Sequence, residues 1–153
     1  MASVLLSAWA AKTNKTPQGL RVGELTVARF SYALSSALVL NDIVEIGILP
    51  AGAAVTDLVL ISDDLDTGSP AIVLDVGLMS GTVGTTTTRT CGAEYISAST
   101  VAQAGGSDRM TLKGGFRVAT STADRGIGVK VTTAPATGTA TGTVNLIVSY
   151  IQE

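Results

Sequence analysis

The sequence predicts an all-β fold: an antiparallel β-sandwich of jelly-roll-like type, with about eight strands, one short helix and an extended N-terminal arm. Three observations carry that expectation. The 153 residues are 46% hydrophobic but only 14% charged, and rich in Gly, Thr, Ser, Ala and Val, a mixture that favours strands and turns over helices. Apolar residues alternate with period two in several short runs, most clearly at Ile127–Thr133 and Thr143–Ile151. Turn-forming Gly, Pro and Asp clusters separate those runs. Aromatic residues make up only 4%, so Val, Ile, Leu and Ala must build the core. The length suits one core that needs neither disulfide nor metal. Residues 1–19 read as N-terminal arm and linker, and residues 20–153 as a single sandwich domain.

The N-terminal stretch lacks the positive residues that open a secretory signal, so it reads as part of the working protein. It carries Val4, Leu5, Leu6 and Trp9 with no apolar partner nearby in sequence, which makes these four the expected interface anchors. The arm either packs on its own sheet or covers a neighbour's.

Leu20–Ala33 follows, with Leu25 and Val27 on one parity and Phe30 and Tyr32 on the other; the switch suggests a bulge near Ala28-Arg29. Ile43–Leu49 places Val44, Ile46 and Ile48 on one side and ends in the Pro50-Ala51-Gly52 turn. Val55–Ile61 and Ala71–Leu78 flank the polar residues 62–70, which have the chemistry of a hairpin connection. Gly81–Arg89, with four consecutive threonines, reads as an exposed loop or edge. Ala93–Ala104 is the expected helix, because Ile96, Thr100, Val101 and Ala104 recur at helical spacing before Gly105-Gly106. Phe116–Thr120 opens the final group of strands, in which Ile127, Val129 and Val131, then Val144, Leu146, Val148 and Tyr150, point inward. Ile147 and Ile151 fall on the outward parity.

The same residues argue against an assembled reaction centre. The chain has no histidine, which removes the commonest general base and most zinc and non-haem iron ligand sets, so no catalytic residue, metal ligand or cofactor is expected. Cys91 is the single cysteine and lacks an imidazole to activate it; it reads as a small core residue. Asp66-Thr67-Gly68-Ser69 matches the active-site tetrad of aspartic proteases, a class that works without histidine, and a homodimer using Asp66 is a remote alternative. Against it, Asp63 and Asp64 precede the tetrad where an apolar strand is required. The three aspartates could instead surround calcium, although their spacing is not that of an EF-hand, and turn formation is the more economical reading.

Ten Lys and Arg offset twelve acids, and the bases form no stripe, so neither a nucleic-acid partner nor a membrane partner is expected. A net charge of -2 leaves little repulsion between copies and favours a homo-oligomer, a dimer or trimer.

The run from Leu40 to Ala53, followed by Val55–Ile61, Asp64-Leu65-Asp66-Thr67-Gly68 and Leu74-Asp75-Val76-Gly77, resembles the head decoration (cement) proteins of tailed bacteriophages. The resemblance spans Leu20 to Gly106 and implies a jelly-roll-like domain on the virion, outside an icosahedral capsid. Its implied partner is the major capsid protein, and its implied role is to stiffen the expanded head. The alternative is another phage β-module, of tail or fibre, that binds a receptor or glycan.

Overall fold

The computed structural model describes residues 3–18 and 22–153; the expected linker end at Gly19 and strand start at Leu20 lie outside the described residues. Among the described residues nine strands are formed: β1 (Val4–Leu6), β2 (Leu25–Ala33), β3 (Ile43–Leu49), β4 (Ala53–Ser62), β5 (Val73–Leu78), β6 (Ile96–Ser99), β7 (Gly106–Arg109), β8 (Arg125–Thr133) and β9 (Thr143–Gln152). They build two sheets, ordered β1-β3-β8-β5-β6 and β2-β9-β4-β7. Every pairing is antiparallel except β1 with β3, which is parallel. The sheets face each other as a sandwich, as the composition and the period-two runs lead one to expect.

The core lies between the inner faces. Ala28 and Phe30 of β2, Leu58 and Leu60 of β4, and Val144, Leu146, Val148 and Tyr150 of β9 meet Val44, Ile46, Leu74, Val76, Ile127 and Val129 of the opposing sheet. β9 is central, with β2 on one side and β4 on the other, and its inward Val144, Leu146, Val148 and Tyr150 are all buried. In β3 both parities are buried, and the bulge between Glu45 and Gly47 locally breaks the alternation. Gly47 is required there, because a Cβ would lie 2.5 Å from the Phe30 ring.

Several expectations are corrected. Ala93–Ala104 is not an α-helix: Ile96 pairs with Val76 and Ser99 with Leu74, and only Val101–Gln103 turns, as 3₁₀. Strand pairing outweighs a run of Ser and Thr whose helix propensity is weak. β4 and β5 are not a hairpin; they belong to different sheets, so residues 63–72 cross the sandwich. No bulge interrupts β2, whose register with β9 runs unbroken from Leu25 to Ala33. Its parity switch arises because both faces carry apolar residues. Phe116 opens no strand but sits exposed in a 3₁₀ turn, Gly115–Arg117. Of the two placements open to the N-terminal residues, Val4–Leu6 takes the first: it packs on the chain's own domain as the edge strand of the five-stranded sheet.

Candidate functional site

The aspartates singled out by the sequence are structural ties. Asp66 is buried, and its carboxylate accepts four backbone N–H groups: Ala71 at 2.6 Å and Ile72 at 3.0 Å from the following turn, Ala136 at 3.0 Å and Thr137 at 2.7 Å from the loop before β9. Burial pushes its pKa up, but those four N–H groups outweigh burial and hold it at about 2. With its oxygens committed in this way, Asp66 is neither a shared-proton acid nor a nucleophile activator. Asp63 accepts the N–H and hydroxyl of Thr143 at 2.7 and 2.9 Å, and Asp64 accepts the Asp66 N–H at 3.1 Å. Among the described residues, no three His, Cys, Asp or Glu side chains gather to hold a metal ion. Cys91 packs with Ile43 and Met79, and burial pushes its thiol pKa up to about 12, so it is inert as a nucleophile.

A second charged tie escaped the sequence reading. Glu45 and Arg89, both buried, form a bidentate pair at 2.7 and 2.8 Å. Glu45 also accepts the Gly84 N–H at 3.0 Å, and Arg89 Nε donates to the Ser80 carbonyl at 2.6 Å. The pair therefore pins the threonine loop onto the five-stranded sheet, and with Val83 also buried that loop is not simply exposed. The available signal was a lone acid inside the apolar β3 run and a lone arginine closing the threonine tract.

Among the described residues, what remains facing solvent is surface without convergent chemistry. A hollow of about 460 Å³, lined by Lys12, Asn14, Lys15, Thr16, Gln18, Ile48, Pro50 and Asp124, is open to solvent, and Asp124 is engaged with the Ala51 N–H at 3.0 Å. On the outer face of the four-stranded sheet, Leu25 and Val27 of β2 are 61% and 54% exposed. Leu25 lies opposite half-buried Ile151 of β9 and Val27 opposite Ser149, while half-buried Ile147 lies opposite Arg29; Ala54 and Val59 of β4 flank Ile151 and Ile147 on the far side. Across that face Arg109 pairs with Asp57 at 2.6 Å and holds the Asp57 carboxyl below its usual range.

No family model and no curated protein matches the sequence. Solved structures do. A chain in the capsid of Ralstonia phage GP4 is 44% identical, covers 98% of both chains and superposes with a TM-score of 0.94. The chain belongs to this family of phage capsid proteins. A chain of the cyanophage Pam1 capsid asymmetric unit agrees, at 31% identity over 92% of this capsid protein and 93% of that chain, with a TM-score of 0.70. The acid-stable capsid of Helicobacter pylori bacteriophage KHP30 contains a chain 15% identical over 84% and 93%, with a TM-score of 0.50, which shows likeness of fold alone.

A capsid protein acts by packing, so the placement of its expected interface anchors matters. Val4, Leu5 and Leu6 align in parallel with Ile43, Val44 and Glu45, and all three are half-buried. Trp9 turns its ring edge-on to Phe30, with centroids 5.8 Å apart and planes at 78°. Three further ties secure the segment. Asp42 accepts the Ser3 N–H at 2.8 Å, the Ser7 hydroxyl donates to the Ile46 carbonyl, and the Tyr150 hydroxyl donates to the Pro17 carbonyl. The four anchors are thus brought together on the capsid protein's own domain, and the exposed pair Leu25 and Val27 was not among the sequence candidates.

Proposed function

We propose that the chain is a decoration (cement) protein that binds the outside of an icosahedral phage capsid, contacts the major capsid protein and stabilises the shell as a small homo-oligomer. The observation that carries this reading is the whole-length, 44%-identical match to a chain of a phage capsid. Two features support the finer role. The run Leu40–Ala53 resembles decoration proteins, and every aspartate of the Asp-Thr-Gly region is spent on holding the fold together.

Val4, Leu5 and Leu6, with Trp9 behind them, are assigned to the capsid contact through the open edge of β1. Beside that edge a groove of about 140 Å³ is lined by Ser3, Val4, Asn41, Ile43, Thr86, Thr87, Thr88 and Arg89. A receptor- or glycan-binding role finds less support. Tyr95 is fully buried, Trp9 is packed on Phe30, and no exposed aromatic platform is formed by them with Tyr32.

The experiment is sedimentation of purified phage heads lacking this protein, with and without added chain. Co-sedimentation, together with raised resistance of the heads to heat, is the expected result. No co-sedimentation, or closed shells formed by this chain alone, would replace the decoration reading.

A further inference from the structure

We propose that β2 is a self-association edge, along which two copies pair antiparallel about a two-fold axis and join their four-stranded sheets into one of eight strands. This deepens the oligomeric part of the function proposed above, and its test is independent of capsid binding.

The two sheets end in four edge strands. β1 spans three residues, β6 four and β7 four, whereas β2 spans nine. Native sheets blunt their long edges with Pro, Lys, bulges or cover, because an open edge templates further pairing. β2 carries neither Pro nor Lys, and its register is unbroken.

The backbone fixes which groups are on offer. Leu34 N–H donates to the Gly142 carbonyl in continuation of the β2–β9 register. Even-numbered residues therefore point their amides at β9, and Leu25, Val27, Arg29, Ser31 and Ala33 point theirs at the open edge. The same residues carry the exposed apolar side chains, Leu25 and Val27.

A second copy is the occupant these features suit. Each odd residue offers both an N–H and a carbonyl, so the edge is its own complement about a two-fold axis. Of the possible registers, one centred on Arg29 is disfavoured, since it sets two guanidinium groups opposite each other. Centring on Val27 places Val27 against Val27 and Leu25 against Arg29, whose aliphatic stem covers the leucine. The outward stripes of Leu25, Val27, Ile147 and Ile151 then meet across the seam. A net charge of -2 per chain opposes this little.

The test is sedimentation velocity of the full chain and of Val27→Lys, a substitution at a side chain already in solvent. The unmodified chain should be dimeric at about 10 μM, and Val27→Lys should raise the dissociation constant at least tenfold or so, with an unchanged thermal midpoint for the monomer. As a second measurement, Val27→Cys should give a covalent dimer with a short bifunctional maleimide, because directly opposed Cβ atoms at a hydrogen-bonded position lie about 5 Å apart, too far for an unaided disulfide but within the reagent's span, while Ser31→Cys should not. A chain that stays monomeric at about 100 μM, a dimer indifferent to Val27→Lys, or cross-linking at Ser31→Cys instead of Val27→Cys overturns the proposal. A monomeric chain whose capsid binding is lost in Val27→Lys overturns it in favour of a foreign strand at the same edge. A Val27-dependent dimer that ignores phage heads upholds the edge and sinks the decoration reading.

Discussion

Removing Arg89 while leaving Glu45 in place is the most informative perturbation of this fold. The Glu45 side chain is 0% exposed and that of Arg89 is 2% exposed, so Arg89→Leu leaves a carboxylate in the interior with only the Gly84 N–H to answer it. Breaking a buried pair in this way costs about 3–5 kcal/mol. A chain of this length has a total stability of roughly 8–20 kcal/mol, and each kcal/mol moves the midpoint by about 2–4 °C, so the variant should melt about 10 °C lower. Glu45→Leu should cost a similar amount, because it strands the guanidinium instead. The double variant buries no charge. It orphans the Gly84 N–H, the Ser80 carbonyl, which Arg89 otherwise satisfies at 2.6 Å, and the Thr85 carbonyl, held more loosely at 3.4 Å, for a loss of about 2–3 kcal/mol. Urea unfolding followed by circular dichroism gives all three values. A double variant as unstable as the sum of the singles would refute the argument that the pair acts as one unit, as would an Arg89→Leu loss below about 1 kcal/mol.

The remaining predictions concern one residue each. Asp66 has a folded pKa depressed to about 2 from an ordinary 3.8, so its stabilising contribution is complete above pH 4 and is lost as the pH falls toward 2; Asp66→Asn should flatten the urea midpoint over that window and lower it at neutral pH. A rise in stability on acidification would contradict that sign. Gly47→Ala should cost about 1–3 kcal/mol, because the new methyl group meets the Phe30 ring at 2.5 Å; a neutral result in thermal melts would show that β3 can shift away. The Cys91 thiol, with its pKa pushed up to about 12, should resist a thiol reagent at pH 8 until urea unfolds the chain, and prompt native-state labelling would show that its burial is wrong.

Legibility in the sequence followed the range of the interaction. β8 and β9 were readable because one face of each is uniformly buried, at Ile127, Val129 and Val131 and then Val144, Leu146, Val148 and Tyr150. Where both faces are apolar the alternation misleads: Leu25 and Val27 outside and Phe30 inside gave the pattern of a bulge that does not exist. Ile96, Thr100, Val101 and Ala104 mimicked a helical face, while the deciding contacts, Ile96 with Val76 and Ser99 with Leu74, come from a strand some twenty residues earlier. Asp66 was read correctly as a structural aspartate, yet its hairpin was not there, because two of its four donors, Ala136 and Thr137, arrive from seventy residues away. The Glu45–Arg89 pair was invisible for the same reason: neither residue has its partner within reach along the chain. The resemblance to decoration proteins, by contrast, rested on a contiguous run and led to the right kind of assembly, a phage capsid.

The position of β9 sets the order in which the protein can be made. β2 and β4 are not neighbours; each pairs with β9, which is translated long after both. Until it emerges from the ribosome, the second sheet has no middle, and two apolar strands wait with open edges. Translation errors that stop synthesis before Thr143 therefore release chains primed to aggregate, and a slow stretch of message ahead of that point would lengthen the dangerous interval.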